Sequence, residues 1–382
     1  MRVFIQSIYG QLLLSLYICW RGYQALPPKK SWRIPYLLFF VIELGIFFFG
    51  YIGKDSLPDE VMIPIFYICN TWYIASLYIT MMLLCLEAVR FVHKKFNILP
   101  LFVTRNWQTT KLACFFLVLF ADIAIMYRAN YAVRHPKVQH LYIDIPKQAP
   151  GRDSLTVVVM SDMHFGEMIG PSFARRYVEL TNAQHPDLVL LPGDMIDYES
   201  RIVEENHIED YLLQIKAPLG VYGVNGNHEY RANYHSKQKW FAKAGITMIN
   251  DSVVAPDSSF YLIGRDDFIN KRRKALHSLT EELDMSKPVI VINHQPYSFA
   301  ESVLNGVDLE LCGHTHNGQF WPYPLVMKLL YECPYGYYRK GNTQFYVSSG
   351  TGFAGPPYRV GTVSEIVVLH IRFLSNNSKP AV

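Results

Sequence analysis

Hydrophobic and polar positions divide the chain into two parts with different patterns. Up to about residue 129 the apolar positions come in long unbroken runs. Val3 to Trp20 is nearly continuous apolar sequence closed by Arg21, and Ile34 to Gly53 follows with Glu43 inside it. Val61 to Leu86 ends at Glu87 and Arg90, and Leu112 to Tyr127 carries Asp122. Each run approaches the ~20 residues that a helix needs to cross hydrocarbon. The pattern therefore predicts about four transmembrane helices over residues 1–129. An aspartate at the centre of a bilayer costs about 2.5–3.5 kcal/mol on insertion scales. Glu43 and Asp122 are accordingly expected to face the bundle and bond neighbouring Tyr or Ser side chains. No small-residue cleavage site follows the first run and more runs come after it, which separates it from a signal peptide.

Residues 130–154 form a polar, Pro-containing linker in which Leu141 to Ile145 has strand character. Beyond it the apolar runs are short and each leads into a polar residue. Thr156 to Met160 leads to Ser161-Asp162-Met163-His164, and Leu188 to Pro192 leads to Gly193-Asp194-Met195-Ile196-Asp197. Val221 to Val224 precedes Gly226-Asn227-His228-Glu229, and Val289 to Ile292 precedes Asn293-His294-Gln295-Pro296. Asp308 to Leu311 precedes Cys312-Gly313-His314-Thr315-His316. Such runs read as buried strands of a parallel or mixed sheet, and their carboxyl ends are where open α/β sheets place ligands. Pro171 to Gln184 reads as a helix with Pro at its start, and the alternation of Val363 to Phe373 predicts a closing strand. Residues 155–382 are thus expected to form an α/β domain.

Composition supports this division. Of 382 residues, 50% are hydrophobic and 18% charged, with the apolar surplus in the first part. The net charge of +4 is small for this length, and the cations cluster at the ends of apolar runs, so they read as topology determinants and no nucleic-acid partner is expected. The first loop holds Arg21, Lys29, Lys30 and Arg33. The third holds Lys94, Lys95 and Arg105, flanked by Arg90 and Lys111, whereas the second holds Lys54 beside Asp55, Asp59 and Glu60. The positive-inside rule puts loops one and three in the cytoplasm. A multi-pass protein of an inner or plasma membrane is expected, with its domain facing outward into the periplasm or extracellular space. Arg128, Arg134 and Lys137 pull mildly the other way. Of six cysteines, Cys19, Cys69, Cys85 and Cys114 lie in apolar runs, and no CxxC occurs, so no disulfide framework is expected.

Five strands ending in Asp, Asn or His carry the chemistry. In an extended segment, residues two apart share a side, so Asp162 and His164 are expected to face one metal. Asp and His suit Mn, Fe, Zn or Mg rather than a thiolate-loving ion. The set is large enough for two ions with a bridging carboxylate, the arrangement that grips a phosphoryl group and activates water. A lone Asp or His at a strand end is usually a cap; five in order at glycine-flanked turns are not.

Asp-Met-His, Gly-Asp-x-x-Asp, Gly-Asn-His-Glu, His294 and Gly-His-Thr-His resemble, in order and spacing, the calcineurin-like metallophosphoesterase superfamily, over Leu155 to about Phe373. The stretch Tyr346 to Arg359 is similar to a membrane-anchored branch that includes relatives of bacterial UDP-2,3-diacylglucosamine pyrophosphatases. The resemblance implies a four-layer αββα sandwich. It implies one divalent ion held by Asp162, His164, Asp194 and His316, and a second by Asp194, Asn227, His294 and His314. His228 would be catalytic and assist the leaving group, Asp197 would orient it, and attack would come from a metal-activated hydroxide. Arg359 is carried as a substrate-phosphate contact, with bonding to loop backbone as the other reading. Tyr198-Glu199 stands where protein phosphatases of the superfamily have Arg-Gly, which argues against that class. Asn317-Gly318-Gln319 departs from the branch's usual Gly-Gly-Gln. The function implied is a membrane-anchored phosphodiesterase or pyrophosphatase acting on a lipid- or nucleotide-linked phosphate. The specific version is hydrolysis of UDP-2,3-diacylglucosamine in lipid A biosynthesis. The competing readings are a non-catalytic metal-binding sensor or scaffold, and a transporter with an appended domain. Asp266-Asp267 read as turn residues, and Lys271 to Lys274 as a solvated helix face. Tyr331 to Tyr338 with Trp321 reads as a lipid-facing rim or as loop packing.

Overall fold

The computed structural model describes residues 8–53 and 57–374. Val3 to Ser7 of the first predicted run, Lys54 and Asp55 of the second loop, and the tail 375–382 lie outside the described residues. The chain forms two compact units, one of helices up to Tyr131 joined by Gly355–Pro357, the other from Ala132 onward.

The helical unit contains α1 (Ile8–Ala25), α2 (Lys30–Gly53), α3 (Asp59–Phe96) and most of α4 (Trp107–Arg134). Among the described residues, three helices are long and apolar enough to cross a membrane: α2, α3 and α4. That is one fewer than the four the apolar runs suggest. The described part of the first run, α1, carries Gln11, Ser15, Arg21 and Gln24 within 18 residues. Two of these polar residues have a partner that explains them. Gln11 Nε2 donates to Glu43 Oε1 (3.0 Å) and Ser15 Oγ donates to Glu43 Oε2 (3.3 Å), so α1 satisfies the carboxylate buried on α2. Glu43 thus faces the bundle as expected, with a serine and also a glutamine as partners. Asp122 is buried too, and its Oδ1 finds no hydrogen-bond partner among the described residues. α3 has 38 residues and would run roughly 57 Å at 1.5 Å per residue, well beyond the hydrocarbon. Its surplus carries Glu87, Arg90, Lys94 and Lys95. The described cysteines are all free.

The second unit is built on two six-stranded sheets. The first has the order β1 (Lys137–Ile145), β12 (Glu365–Phe373), β2 (Ser154–Val159), β3 (Leu188–Pro192), β4 (Val221–Val224) and β5 (Thr247–Met248). The second has the order β10 (Gly336–Lys340), β11 (Thr343–Val347), β9 (Leu309–Cys312), β8 (Val289–Ile292), β7 (Tyr261–Gly264) and β6 (Ser252–Val254). Both sheets are mixed. The period of two along each strand sorts the core into layers. Val157, Val159, Leu188, Leu190, Val367, Leu369 and Ile371 point between the sheets and meet Leu262, Ile290, Ile292, Leu309 and Leu311. The alternate residues Val158, Met160, Val189, Leu191, Ile366 and Val368 face outward, against Ala174, Tyr177 and Val178 of α5 (Pro171–Asn182) and Trp240 and Phe241 of α6 (Tyr234–Lys243). On the far side of the second sheet, Ile263, Val289 and Val291 pack on Leu276 and Leu279, and Phe345 and Val347 pack on Phe299. The result is the expected four-layer αββα sandwich. Fully burying a Val, Leu or Ile stabilises the fold by about 1.5–3 kcal/mol, and both faces of the central strands collect that term.

The polar linker also holds structure. β1 runs parallel to β12 in register from Lys137↔Glu365 to Ile145↔Phe373. As an edge strand it needs one apolar face, which Leu141, Ile143 and Ile145 supply, while Lys137, Gln139, His140 and Asp144 stay polar.

Candidate metal centre

The carboxyl ends of β2, β3 and β4 in one sheet and of β8 and β9 in the other bring the expected residues together. The loops continue the ladders beyond the strands: Asp162 N–H donates to Gly193 O (3.1 Å), His164 N–H to Asp194 O (3.0 Å), and Gly313 N–H to His294 O (2.9 Å). Asp162 and His164 converge, with His164 Nε2 4.0 Å from Asp162 Oδ1, but not through an extended pleat. Both are left-handed, at φ 54° and 50°, and so are Asp194 (51°), His314 (72°) and His316 (49°). Asp and His tolerate this region better than most residues, and such conformations collect at functional sites. Asn317, in the position where the branch usually has glycine, also sits at φ 49°, so asparagine keeps the backbone shape of that loop.

Three groups of side chains offer ligand atoms within 4.8 Å of one another: Asp162, His164 and His316; Asp194, His294 and His314; and His164, Asp194 and His228. His164 Nε2 and His316 Nε2 are 3.1 Å apart, and His294 Nε2 lies 3.1 Å from Asp194 Oδ2. His314 Nδ1 and Asn227 Oδ1 each lie 3.2 Å from His294 Nε2. Asp194 Oδ2 is also 3.8 Å from both His164 Nε2 and His228 Nε2, so one carboxylate oxygen faces both halves of the cluster. Imidazole nitrogens aimed at one another across 3 Å share a volume that a cation would occupy. The donor set is nitrogen and oxygen without a thiol, and it fits divalent ions of the Mn, Fe, Zn or Mg type.

The charges agree. Asp162 and Asp194 are 0% and 2% exposed. Burial raises the Asp162 carboxyl. It works the same way on Asp194, but the His294 and His228 charges overcome it and hold that carboxyl well below its usual range. Burial opposes charging of His294, yet the Asp194 carboxylate pushes it up to about 10; burial and the neighbouring His294 push His314 down to about 3. The buried carboxylates therefore call for positive charge, as a proton on His294 or as metal, and ligation requires the imidazoles neutral.

Other residues hold these groups in place. His228 Nδ1 lies 2.7 Å from the Asp197 backbone O and 3.0 Å from its Oδ1, and the same Oδ1 is 3.3 Å from His164 Nδ1. Asp194 Oδ1 accepts from His228 N–H (2.8 Å), and Asp162 accepts from His314 N–H (3.0 Å). A Cβ on Gly226 would lie 2.2 Å from Asp194 Oδ1, and one on Gly313 would lie 2.2 Å from Asp162 Oδ2, so no side chain fits at either position. Two positioning residues are not apparent from the sequence. Glu229 accepts four backbone N–H groups, from Asp194 (2.9 Å), Met195 (2.9 Å), Ile196 (3.2 Å) and Gly226 (2.6 Å). Lys237 Nζ, fully buried, donates to His228 O (2.6 Å). The available signal for Lys237 is a lysine three residues before Trp240 on the apolar face of α6.

Arg359 makes the loop-backbone bonds that are the second of its two expected readings. It is 2% exposed and its guanidinium donates to the backbone oxygens of His316 (3.1 Å), Gly352 (2.9 Å) and Ser349. With its donors spent on these carbonyls it braces the His316 loop from beneath, which is the backbone-bonding alternative. Asp266 and Asp267 are buried and lead into the turn at Phe268 and Ile269: Asp266 accepts from Asn225 Nδ2 (3.0 Å) and Asp267 from Gln295 Nε2 (2.8 Å). Lys271 to Lys274 form a turn and loop rather than a helix face, and Arg273 folds inward over the Phe268 ring at 4.0 Å. Helix α7 (Tyr323–Leu330) follows the His314–His316 loop and exposes Leu325, Leu329 and Leu330. Tyr331, the next residue, has its ring 6.4 Å from that of His314.

Mixed sheets in four layers with a buried His/Asp cluster at their carboxyl edges define a metal-dependent hydrolase fold. Residues 155–318 match the family model described as calcineurin-like phosphoesterase. A transmembrane protein with metallophosphoesterase domain from Danio rerio is 29% identical over 395 residues, covering 95% of this chain and 87% of that protein. An uncharacterized metallophosphoesterase of Helicobacter pylori (strain J99) is 31% identical over 269 residues, covering 67% and 69%. The crystal structure of TT1561 of Thermus thermophilus aligns over 52% of this chain and 89% of its own, at TM-score 0.37 and 13% identity. The chain belongs to the calcineurin-like metallophosphoesterases, and is a metal-dependent phosphoester hydrolase.

Proposed function

We propose that the chain is a membrane-anchored, dinuclear-metal phosphodiesterase or pyrophosphatase acting on a lipid- or nucleotide-linked phosphate. The observation that carries this reading is the pair of adjoining ligand groups that meet at Asp194 Oδ2, with His228 beside them. Asp162, His164, Asp194 and His316 would hold one divalent ion; Asp194, Asn227, His294 and His314 would hold the other. Bound there, the ions supply Lewis acidity toward phosphoryl oxygens and a nucleophilic water at neutral pH. His228 Nδ1–H donates to Asp197, which leaves Nε2 facing the centre as the nitrogen that takes up and returns a proton. As an imidazolium it protonates the departing oxygen, and the Asp197 carboxylate stabilises that charge.

Support for a lipid-linked substrate comes from α7, where Leu325, Leu329 and Leu330 are 55%, 85% and 62% exposed in the segment leading to Tyr331. Exposed apolar patches mark interaction surfaces. Three apolar helices of spanning length support the anchor. With the Arg21–Arg33 and Lys94–Arg105 loops in the cytoplasm, the domain after α4 faces outward.

The test uses the full chain in detergent with Mn²⁺ on bis-p-nitrophenyl phosphate and nucleotide-lipid pyrophosphates, including UDP-2,3-diacylglucosamine. Hydrolysis is expected, with His228→Ala lowering kcat by about 10²–10⁴-fold while metal content stays unchanged. Metal-loaded protein that turns over nothing on the panel would sink the proposal. A reporter fused after Val382 tests the orientation: activity confined to the cytoplasm refutes the outward domain.

A further inference from the structure

The helical unit contains a cavity of about 420 Å³ between its helices, within the range that holds small ligands. Its body is apolar: Tyr36 and Phe40 come from α2, Ile79 and Leu83 from α3, Phe115 and Val118 from α4. The cavity is half open, so an apolar ligand can enter it. One end is different. Arg21 at the end of α1, Glu87 and Arg90 on α3, and Lys111 at the start of α4 line it together. Glu87 serves both guanidiniums, in contact with Arg21 Nη2 and 3.7 Å from Arg90 Nη1. Lys111 adds a third cation to the lining; Arg21 Nη1 donates to Gln24 Oε1 (2.8 Å), and Arg21 Nε is buried without a hydrogen-bond partner among the described residues. Arg90 also lies 6.0 Å from the ring centroid of Trp107, an amphipathic residue of the type that settles at head-group level.

We infer that this cavity binds one anionic glycerophospholipid of the bilayer, with an acyl chain among the α2, α3 and α4 side chains and its phosphate against Arg21, Arg90 and Lys111. Basic pockets between membrane helices take anionic head groups, and guanidinium matches phosphate in bidentate geometry. The inference rests on the helical unit lying in a bilayer and is independent of the phosphoester chemistry of the metal centre.

The full-length protein, equilibrated with phosphatidylglycerol or phosphatidylcholine vesicles and extracted in mild detergent, is examined by native mass spectrometry. One phosphatidylglycerol per chain is expected to survive, with phosphatidylcholine retained at least about tenfold less. Leu83→Trp fills the cavity and should abolish retention; Arg90→Gln should weaken it. Leu117→Trp, on α4 at a position 66% exposed and outside the lining, should retain the lipid. The inference is overturned if wild type keeps no lipid, keeps both lipids equally, or if a monodisperse, helical Leu83→Trp keeps phosphatidylglycerol as wild type does. Should Leu83→Trp fail to fold, the comparison of the two lipids on wild type decides alone.

Discussion

Replacing Glu229 by Gln probes what holds the metal centre in shape. Each carboxylate oxygen accepts two backbone N–H groups, Oε2 from Asp194 and Gly226, Oε1 from Met195 and Ile196. Glutamine keeps one oxygen and turns an NH₂ toward the other two donors. Two charge-assisted hydrogen bonds are lost, at about 1.5–3 kcal/mol each, which sums to about 3–6 kcal/mol. That is a large share of the ~5–15 kcal/mol by which a domain is stable. At about 2–4 °C per kcal/mol for a domain of this size, Tm should fall by about 6–24 °C. The change also removes the counter-charge of buried Lys237, so Glu229→Gln and Lys237→Met should combine less than additively. Because Asp194 N–H is one of the four donors, metal affinity should drop about 10–100-fold, the usual cost of disturbing a ligand's support. Scanning fluorimetry at fixed Mn²⁺ and elemental analysis after dialysis read both effects. A variant that melts within about 2 °C of wild type and keeps its metal would refute the reasoning.

Three further outcomes separate the roles assigned above. Asp194→Asn should deplete both ions together, whereas Asp197→Asn should leave two ions per chain and lower kcat; elemental analysis beside steady-state kinetics checks both. Arg359→Lys should lower Tm without raising KM, because a single ammonium cannot span the carbonyls of His316, Ser349 and Gly352; a KM effect alone would restore a phosphate contact. Leu329→Asp should reduce kcat/KM on a vesicle-presented substrate and leave bis-p-nitrophenyl phosphate hydrolysis unchanged, and equal loss on both would remove α7 from lipid contact.

The residues of the centre are legible in the sequence because metal chemistry restricts residue type at each strand end. Asp162, Asp194, His294, His314 and His316 stand out by type, and Asp194 and His314 also by the glycine before each. What stays hidden depends on backbone groups, which carry no residue identity. Glu229 is visible as a motif letter, but its task is to bind four N–H groups from two loops. Lys237 looks like one more helix cation. Arg359 offers two readings that only burial separates. β1 is half visible because an edge strand alternates weakly, and the described part of α1 is less apolar than its run suggests because Gln11 and Ser15 serve Glu43. The left-handed ligands show the same limit: pleat alternation leads to the right pairing of Asp162 with His164 for the wrong geometric reason.

The division of ligands between the two sheets has a mechanical consequence. The sheets share no strand, yet each proposed ion draws on both: Asp162, His164 and Asp194 with His316, or Asp194 and Asn227 with His294 and His314. Each ion would act as a rivet through the open edge of the sandwich. Bound metal then adds RT ln(1 + [M]/Kd) to the cohesion of the domain, about 2.7 kcal/mol at a hundredfold excess over Kd. Metal supply during synthesis would govern how much folded protein accumulates as well as how fast it turns over.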